Sequence, residues 1–172
     1  MRLRLLLVVS VMLACLIGSV LPAAARYAGE SEVVTFGGYQ PGTIVIRTAE
    51  RHLYFVVGAG QAIRYPIAVG RPGKEWAGAT FVARKVVNPI WSPPEEVRRD
   101  SPNLPELIPP GPRNPLGPRA LVLATGEYAI HGTNNADSIG TKASYGCIRM
   151  YNQHILDLYD RVSVGTPVVV VR

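Results

Sequence analysis

Ten of the chain's 15 prolines fall between residues 89 and 118, including the pairs Pro93-Pro94 and Pro109-Pro110, and Gly111 and Gly117 stand among them. Proline has no amide hydrogen to give to a ladder and holds φ at about −65°, so this stretch cannot be sheet interior. A segment of this length is unusual inside one domain, where it serves as a lid, a binding loop or a linker. Trp91 opens it and strand-like runs flank it, which favours an ordered loop on a β body over a loose insertion.

The flanking runs have strand chemistry. Ile44 and Ile46 alternate with Val45 and Arg47, Thr48-Ala49-Glu50-Arg51 turns into the apolar run 52–57, and Gly58-Ala59-Gly60 turns into 61–69. Two consecutive hairpins are predicted. Further strands are predicted over 80–87, 120–124, 128–131 and 167–171, the last an unbroken apolar run suited to burial on both faces. One helix is predicted from an N-cap at Asn152 to about Asp160, with Ile155, Leu158 and Tyr159 facing the core. The fold class is mainly β, with one or two short helices and the long Pro-rich loop.

At the N-terminus, Arg2 and Arg4 precede an uncharged apolar stretch from Leu5 to Leu21 that ends in Ala23-Ala24-Ala25. This is the pattern of a secretory signal peptide, residues 1–25. The stretch is short for a membrane span and no basic stop-transfer cluster follows it. Export to the periplasm or cell envelope is expected, and Leu13-Ala14-Cys15 offers a minor alternative, lipidation at Cys15. Residues 26–42 read as a lead-in and 43–172 as one domain. Without residues 1–25 the chain holds 16 basic and 12 acidic side chains, a formal net charge of +4 with no basic run. That argues against a nucleic-acid partner and leaves a weak attraction to polyanionic wall or membrane surfaces.

The two cysteines are Cys15, inside the leader, and Cys147. An exported protein would keep one thiol in a compartment that favours disulfides, with no partner in its own chain. A buried structural cysteine is the plain alternative. A thiol is a useful nucleophile only as thiolate, which needs a neighbouring base or positive charge. His131 ends a predicted strand in Ala129-Ile130-His131-Gly132-Thr133, and Cys147 stands in Ser144-Tyr145-Gly146-Cys147-Ile148-Arg149-Met150. Gly146 lets the backbone N–H groups of Tyr145, Gly146 and Cys147 approach a developing oxyanion. Arg149, two residues beyond Cys147 on an extended strand, shares its face and suits a substrate carboxylate. Ser144 and Thr133 are candidate substrate contacts, with Ser144 also readable as a hydrogen-bond partner of the His131 region or as a simple turn residue. Tyr128 and Trp91 are candidate groove walls, although aromatics in a β-rich domain are more often core. His52 and His154 read as exposed, ordinary residues. A zinc site of His131, Cys147 and one of these lacks any short-spaced ligand pair, so no metal is expected.

The whole run from His131-Gly132-Thr133-Asn134-Asn135 through Ser138-Ile139-Gly140 to Ser144-x-Gly146-Cys147-Ile148-Arg149-Met150-x-Asn152 resembles the catalytic signature of the YkuD-like L,D-transpeptidases. The resemblance extends over about residues 43–171, with the Pro-rich loop and Asn88-Pro89-Ile90-Trp91 included. Tyr145 departs from it, standing where many members have histidine. The resemblance implies a YkuD-like mixed β-sandwich or barrel, no cofactor, and peptidoglycan stem peptides as partners. It implies that the Cys147 thiolate attacks the amide after the diamino acid of a tetrapeptide stem and releases the terminal D-alanine. The acyl group then passes to an amine of a second stem or of an anchored lipoprotein. It further implies that His131 is the base, oriented by the Gly132 carbonyl, and that carbapenems acylate the thiol. Two competing readings are a hydrolase on the same scaffold and a wall-binding module that has lost catalysis.

Overall fold

The structure, a computed structural model, describes residues 30–58 and 60–172. The expected signal peptide and Cys15 lie outside the described residues. Alternating apolar side chains build β2 (Ile44–Arg47), β3 (His52–Gly58) and β4 (Gln61–Gly70), which pair as the two consecutive antiparallel hairpins that the sequence predicts. After them come β5 (Gly78–Val87), β6 (Arg119–Leu123), β7 (Ala129–His131), β8 (Lys142–Ser144), β9 (Ile148–Met150) and β10 (Pro167–Val171). β10 lies parallel to β2 and antiparallel to β5, so the C-terminal run joins the early hairpins to the later strands.

β4 closes the sheet. It is ten residues long, and its first half pairs with β3 while Ile67 and Ala68 in its second half pair with Met150 and Arg149 of β9. The strand order β1-β4-β3-β2-β10-β5-β6-β7-β9 thereby returns to β4 as a closed, barrel-like sheet, with β8 added parallel to β4. The first strand, β1 (Glu32–Thr35), falls in the segment read as a lead-in, yet it pairs with β4 and is tied by the Glu32–Arg64 ion pair. Phe36 just beyond it is buried and stacks on Tyr54 at 4.3 Å, in a small second core with Val45, Val56 and Ala62.

The main core fills the inside of the sheet with Ile44, Ile46, Leu53, Tyr65, Ile67, Leu121, Ile130, Ile148 and Met150. Helix α2 (Asn152–Arg161) adds Ile155 and Leu158, both fully buried. Burial of side chains of this size contributes about 1.5–3 kcal/mol each, which is what docks a ten-residue helix that would not persist alone. Two expectations are corrected here. β10 is not buried on both faces, because Val168 and Val170 point into the core while Val171 is exposed. Asn152 does not cap α2: Tyr151 holds the N-cap position, and the Asn152 Oδ1 instead accepts the Thr133 N–H at 2.9 Å. At the other end Lys85 Nζ donates to the carbonyls of Tyr159 and Val162, both at 2.6 Å, satisfying acceptors that a helix end leaves open.

The Pro-rich segment is ordered and contains structure that its composition hides. Trp91 and Ile108 exchange two backbone hydrogen bonds at 2.9 and 2.8 Å, closing it into a loop. Inside that loop is a short helix, α1 (Glu95–Asp100), which follows Pro93-Pro94 and carries glutamates in its first turn and arginines in its last, the arrangement that suits a helix dipole. Prolines supply carbonyls and no donors, so the loop needs a side-chain donor. Asn114, with no exposed surface, gives its Nδ2 hydrogens to Pro89, Ile108 and Pro109 carbonyls, and its Oδ1 accepts the Leu116 N–H. Asn114→Ala is therefore expected to cost about 3 kcal/mol, since it leaves several buried polar groups without partners. Urea denaturation measures that loss, and limited proteolysis should find new cleavage within 89–118.

Candidate active site

Three short strand ends build the site. β9 pairs in parallel with β7, placing Ile148 against Ile130 and Arg149 against His131. Paired residues of a parallel ladder project from the same face, and residues two apart do too. His131 thus lies beside Arg149 and one pleat along from Cys147, which sits in the turn between β8 and β9, directly before β9. The His131 Nδ1 lies 2.6 Å from the Gly132 carbonyl oxygen, and the ring is buried. Donation from Nδ1 to that carbonyl leaves Nε2 as the basic nitrogen.

The turn that carries Cys147 is pinned on both sides. Ser144 is buried; its Oγ donates to the Cys147 carbonyl at 2.6 Å and accepts the Gly146 N–H at 3.0 Å. The Gly146 carbonyl accepts the Trp76 indole N–H at 2.9 Å. Gly146 has φ of 118°, and a Cβ there would lie 2.5 Å from Cε1 of Tyr128. Among the described residues, no acceptor takes the N–H of Tyr145 or Cys147. In this turn the Gly146 N–H is given to Ser144, whose hydroxyl ties the two sides of the turn together.

A cavity of about 410 Å³ opens onto Cys147. Tyr128 and Tyr145 form one side, and Pro94, Glu95, Glu96 and Arg99 of the Pro-rich segment form the other. The loop thus borders Cys147. Tyr145 links the two sides: its hydroxyl donates to Asp100 at 2.6 Å, Arg71 also reaches Asp100 at 2.9 Å, and the Arg71 guanidinium lies 3.9 Å from the centre of the Tyr145 ring. Lys74 adds a pair to Glu96 at 2.6 Å. The profile of the YkuD family, described as L,D-transpeptidase catalytic domain, matches residues 41–170.

The chain belongs to the YkuD family of L,D-transpeptidases.

Among its relatives, the probable L,D-transpeptidase YbiS of Escherichia coli K12 is 41% identical over 134 residues, 73% of this chain and 43% of that protein. The chain spans less than half the length of that relative. A solved structure from Brucella melitensis, described as a probable carnitine operon oxidoreductase, is 43% identical with a TM-score of 0.55, covering 83% of this chain and 93% of the other. The catalytic domain of an Enterococcus faecium L,D-transpeptidase acylated by ertapenem aligns over 78% of this chain and all of its own, with a TM-score of 0.58 and 19% identity, a likeness of fold.

Within this YkuD-family site, burial governs the charges. It lowers the His131 imidazole to about 4, against the raising effect of the Gly132 hydrogen bond and with help from the Arg149 charge. Burial raises the Cys147 thiol, while the Ala129 N–H and the Arg149 charge pull it down. Both groups therefore rest neutral near pH 7, as thiol and imidazole. Arg149 is half-buried and its guanidinium makes no hydrogen bond or ion pair among the described residues. Burial lowers its pKa as well, the mark of a cation held short of solvent.

The His131 shift has a measurable consequence for stability. As pH falls, the unfolded chain takes up the histidine proton near pH 6.5, before the folded protein does near 4. Stability is then full above about pH 6.5 and falls across the window down to about 4, by roughly 3 kcal/mol. Chemical denaturation at pH 7 and pH 4.5 should show the drop in the wild type, and His131→Gln should lose most of it.

Other sequence readings are placed differently. Trp91 serves the bridge to Ile108 and does not line the Cys147 cavity. Thr133 forms a local turn with Asn135 and lines a separate cavity with Asn88 and Asn152. His154, read as exposed, is buried between Tyr65 and Tyr151, and His52 is half-buried with Nδ1 2.7 Å from the Glu50 carbonyl. Trp76 and the α1 residues escaped sequence reading, since only tertiary packing brings them to Cys147.

Proposed function

We propose that the protein is an exported cysteine acyltransferase of peptidoglycan, with Cys147 as nucleophile and His131 as base. The reading rests on the Cys147 turn: a thiol at a cavity of peptide-accommodating size, with its own N–H unclaimed while the Gly146 N–H, the Gly146 carbonyl and the Cys147 carbonyl are engaged. His131 takes the thiol proton, and the sulfur adds to the stem-peptide carbonyl beside the Cys147 N–H. The C–N bond breaks, D-alanine leaves with the proton from His131, and a thioester remains. An acceptor amine then adds to the thioester, gives its proton to His131 and expels the thiolate. The unpaired Arg149 stabilises the thiolate and suits the carboxylate of the departing residue. The acceptor is a second stem or a lipoprotein amine, and the leader pattern of residues 1–25 supports action in the periplasm.

Incubation with purified tetrapeptide muropeptides, followed by mass spectrometry, tests this. Cross-linked dimers with loss of alanine are expected. Trimmed monomers alone would assign a hydrolase, and unchanged substrate would sink the proposal.

A further inference from the structure

We propose that Trp76 is a positioning residue for acyl transfer, one that aims the Cys147 N–H at the oxygen on which negative charge develops. The inference rests on the reading of Cys147 as the acyl-accepting thiol. Trp76 stands between β4 and β5, 70 residues before Gly146 in the chain, and nothing in its sequence context marks it. In space its indole N–H donates to the Gly146 carbonyl at 2.9 Å, and its ring stacks on Tyr128 with centroids 4.8 Å apart and planes within 5°.

The Gly146 carbonyl and the Cys147 N–H belong to one planar trans peptide and point in opposite directions. A donor fixed on the carbonyl therefore fixes the direction of the N–H, and by polarising the unit it strengthens that N–H as a donor. Such a hold is needed at this place. Glycine at φ of 118° has no side chain to lock the peptide, and Ser144 engages only the Gly146 N–H and the Cys147 carbonyl, which belong to the two flanking peptides. Trp76 is the group that grips the peptide between them. Its stacking partner Tyr128 fills the space where a side chain at 146 would lie, so the same pair closes the wall behind the turn.

When the thiolate adds to an amide or β-lactam carbonyl, a C–S bond forms and the carbonyl π pair moves onto oxygen. A fixed N–H at that oxygen stabilises this state more than the ground state. Alkylation of the same thiol by iodoacetamide forms a C–S bond and expels iodide, with no charge placed on a carbonyl oxygen. The two reactions separate support of the oxyanion from reactivity of the thiol.

Trp76→Phe keeps an aromatic ring for the stack and removes the N–H. Measured on one tetrapeptide muropeptide, it is expected to lower kcat about ten- to a hundredfold with KM changed less than about threefold. Carbapenem acylation should slow in step with kcat, while the iodoacetamide rate stays within about twofold of wild type. If the phenylalanine variant does not fold, 3-benzothienylalanine at position 76 preserves the indole outline with sulfur in place of N–H and should give the same pattern. Acylation at the wild-type rate in these variants, or a parallel fall in acylation and alkylation, would overturn the proposal. A wild-type protein that iodoacetamide labels at Cys147 but that neither turns over muropeptide nor accepts a carbapenem would overturn the acyltransferase reading itself, and this inference with it.

Discussion

Cys147→Ala is expected to lower kcat/KM for muropeptide cross-linking by about 10⁴-fold or more, because the thiol at the cavity is gone and the thioester cannot form. The fold should survive. Cys147 is half-buried, and its Sγ makes weak polar contacts with the Glu127 carbonyl at 3.9 Å and the Ala129 N–H, so alanine removes little packing. Circular dichroism and thermal melting check the fold, and product mass spectrometry checks turnover. Carbapenem treatment should add one adduct to the wild type and none to the variant. Cross-linking at the wild-type rate by a folded Cys147→Ala protein would remove the thiol from the mechanism.

Gly146→Ala should come next in severity, with a loss of at least about a hundredfold in kcat. Two separate obstacles act at this position. A φ of 118° strains any residue with a Cβ, and that Cβ would meet the Tyr128 ring at 2.5 Å, so the turn must move. Any movement breaks the Trp76 and Ser144 contacts that orient the Cys147 peptide. Gly140→Ala is the matched control. Its φ of 86° is also left-handed, but nothing lies within 4 Å of the added carbon, so it should lose stability and keep most of its activity. Equal activity of the two variants would mean that the turn around Gly146 tolerates displacement.

Several features were legible because they depend on neighbours in the chain. The alternation of Ile44, Ile46, Leu53, Phe55, Ile63, Tyr65 and Ile67 fixes which face of each hairpin is apolar, and the structure places all seven in one core. The spacing of Ile155 and Leu158 likewise fixes the buried face of α2. Local chemistry was a poorer guide to polar side chains. Asn152 has the composition of an N-cap, but a partner N–H at Thr133, 19 residues away, takes its oxygen. His154 reads as surface until Tyr65 and Tyr151 cover it.

The sequence by itself determined the mainly β class, the two hairpins and the helix after Cys147, and it set Cys147 and His131 in one recognisable segment. Tertiary structure decided the parts that depend on distant groups meeting. Closure through β4 brings β8 and β9 onto Ile67–Gly70, and the Asn114 hub orders a proline-rich loop that local pattern leaves blank. It also decided which N–H groups near the thiol are spare. That depends on where the Ser144 hydroxyl and the Trp76 indole point, and a hydrogen bond between residues 70 positions apart leaves no periodic trace along the chain.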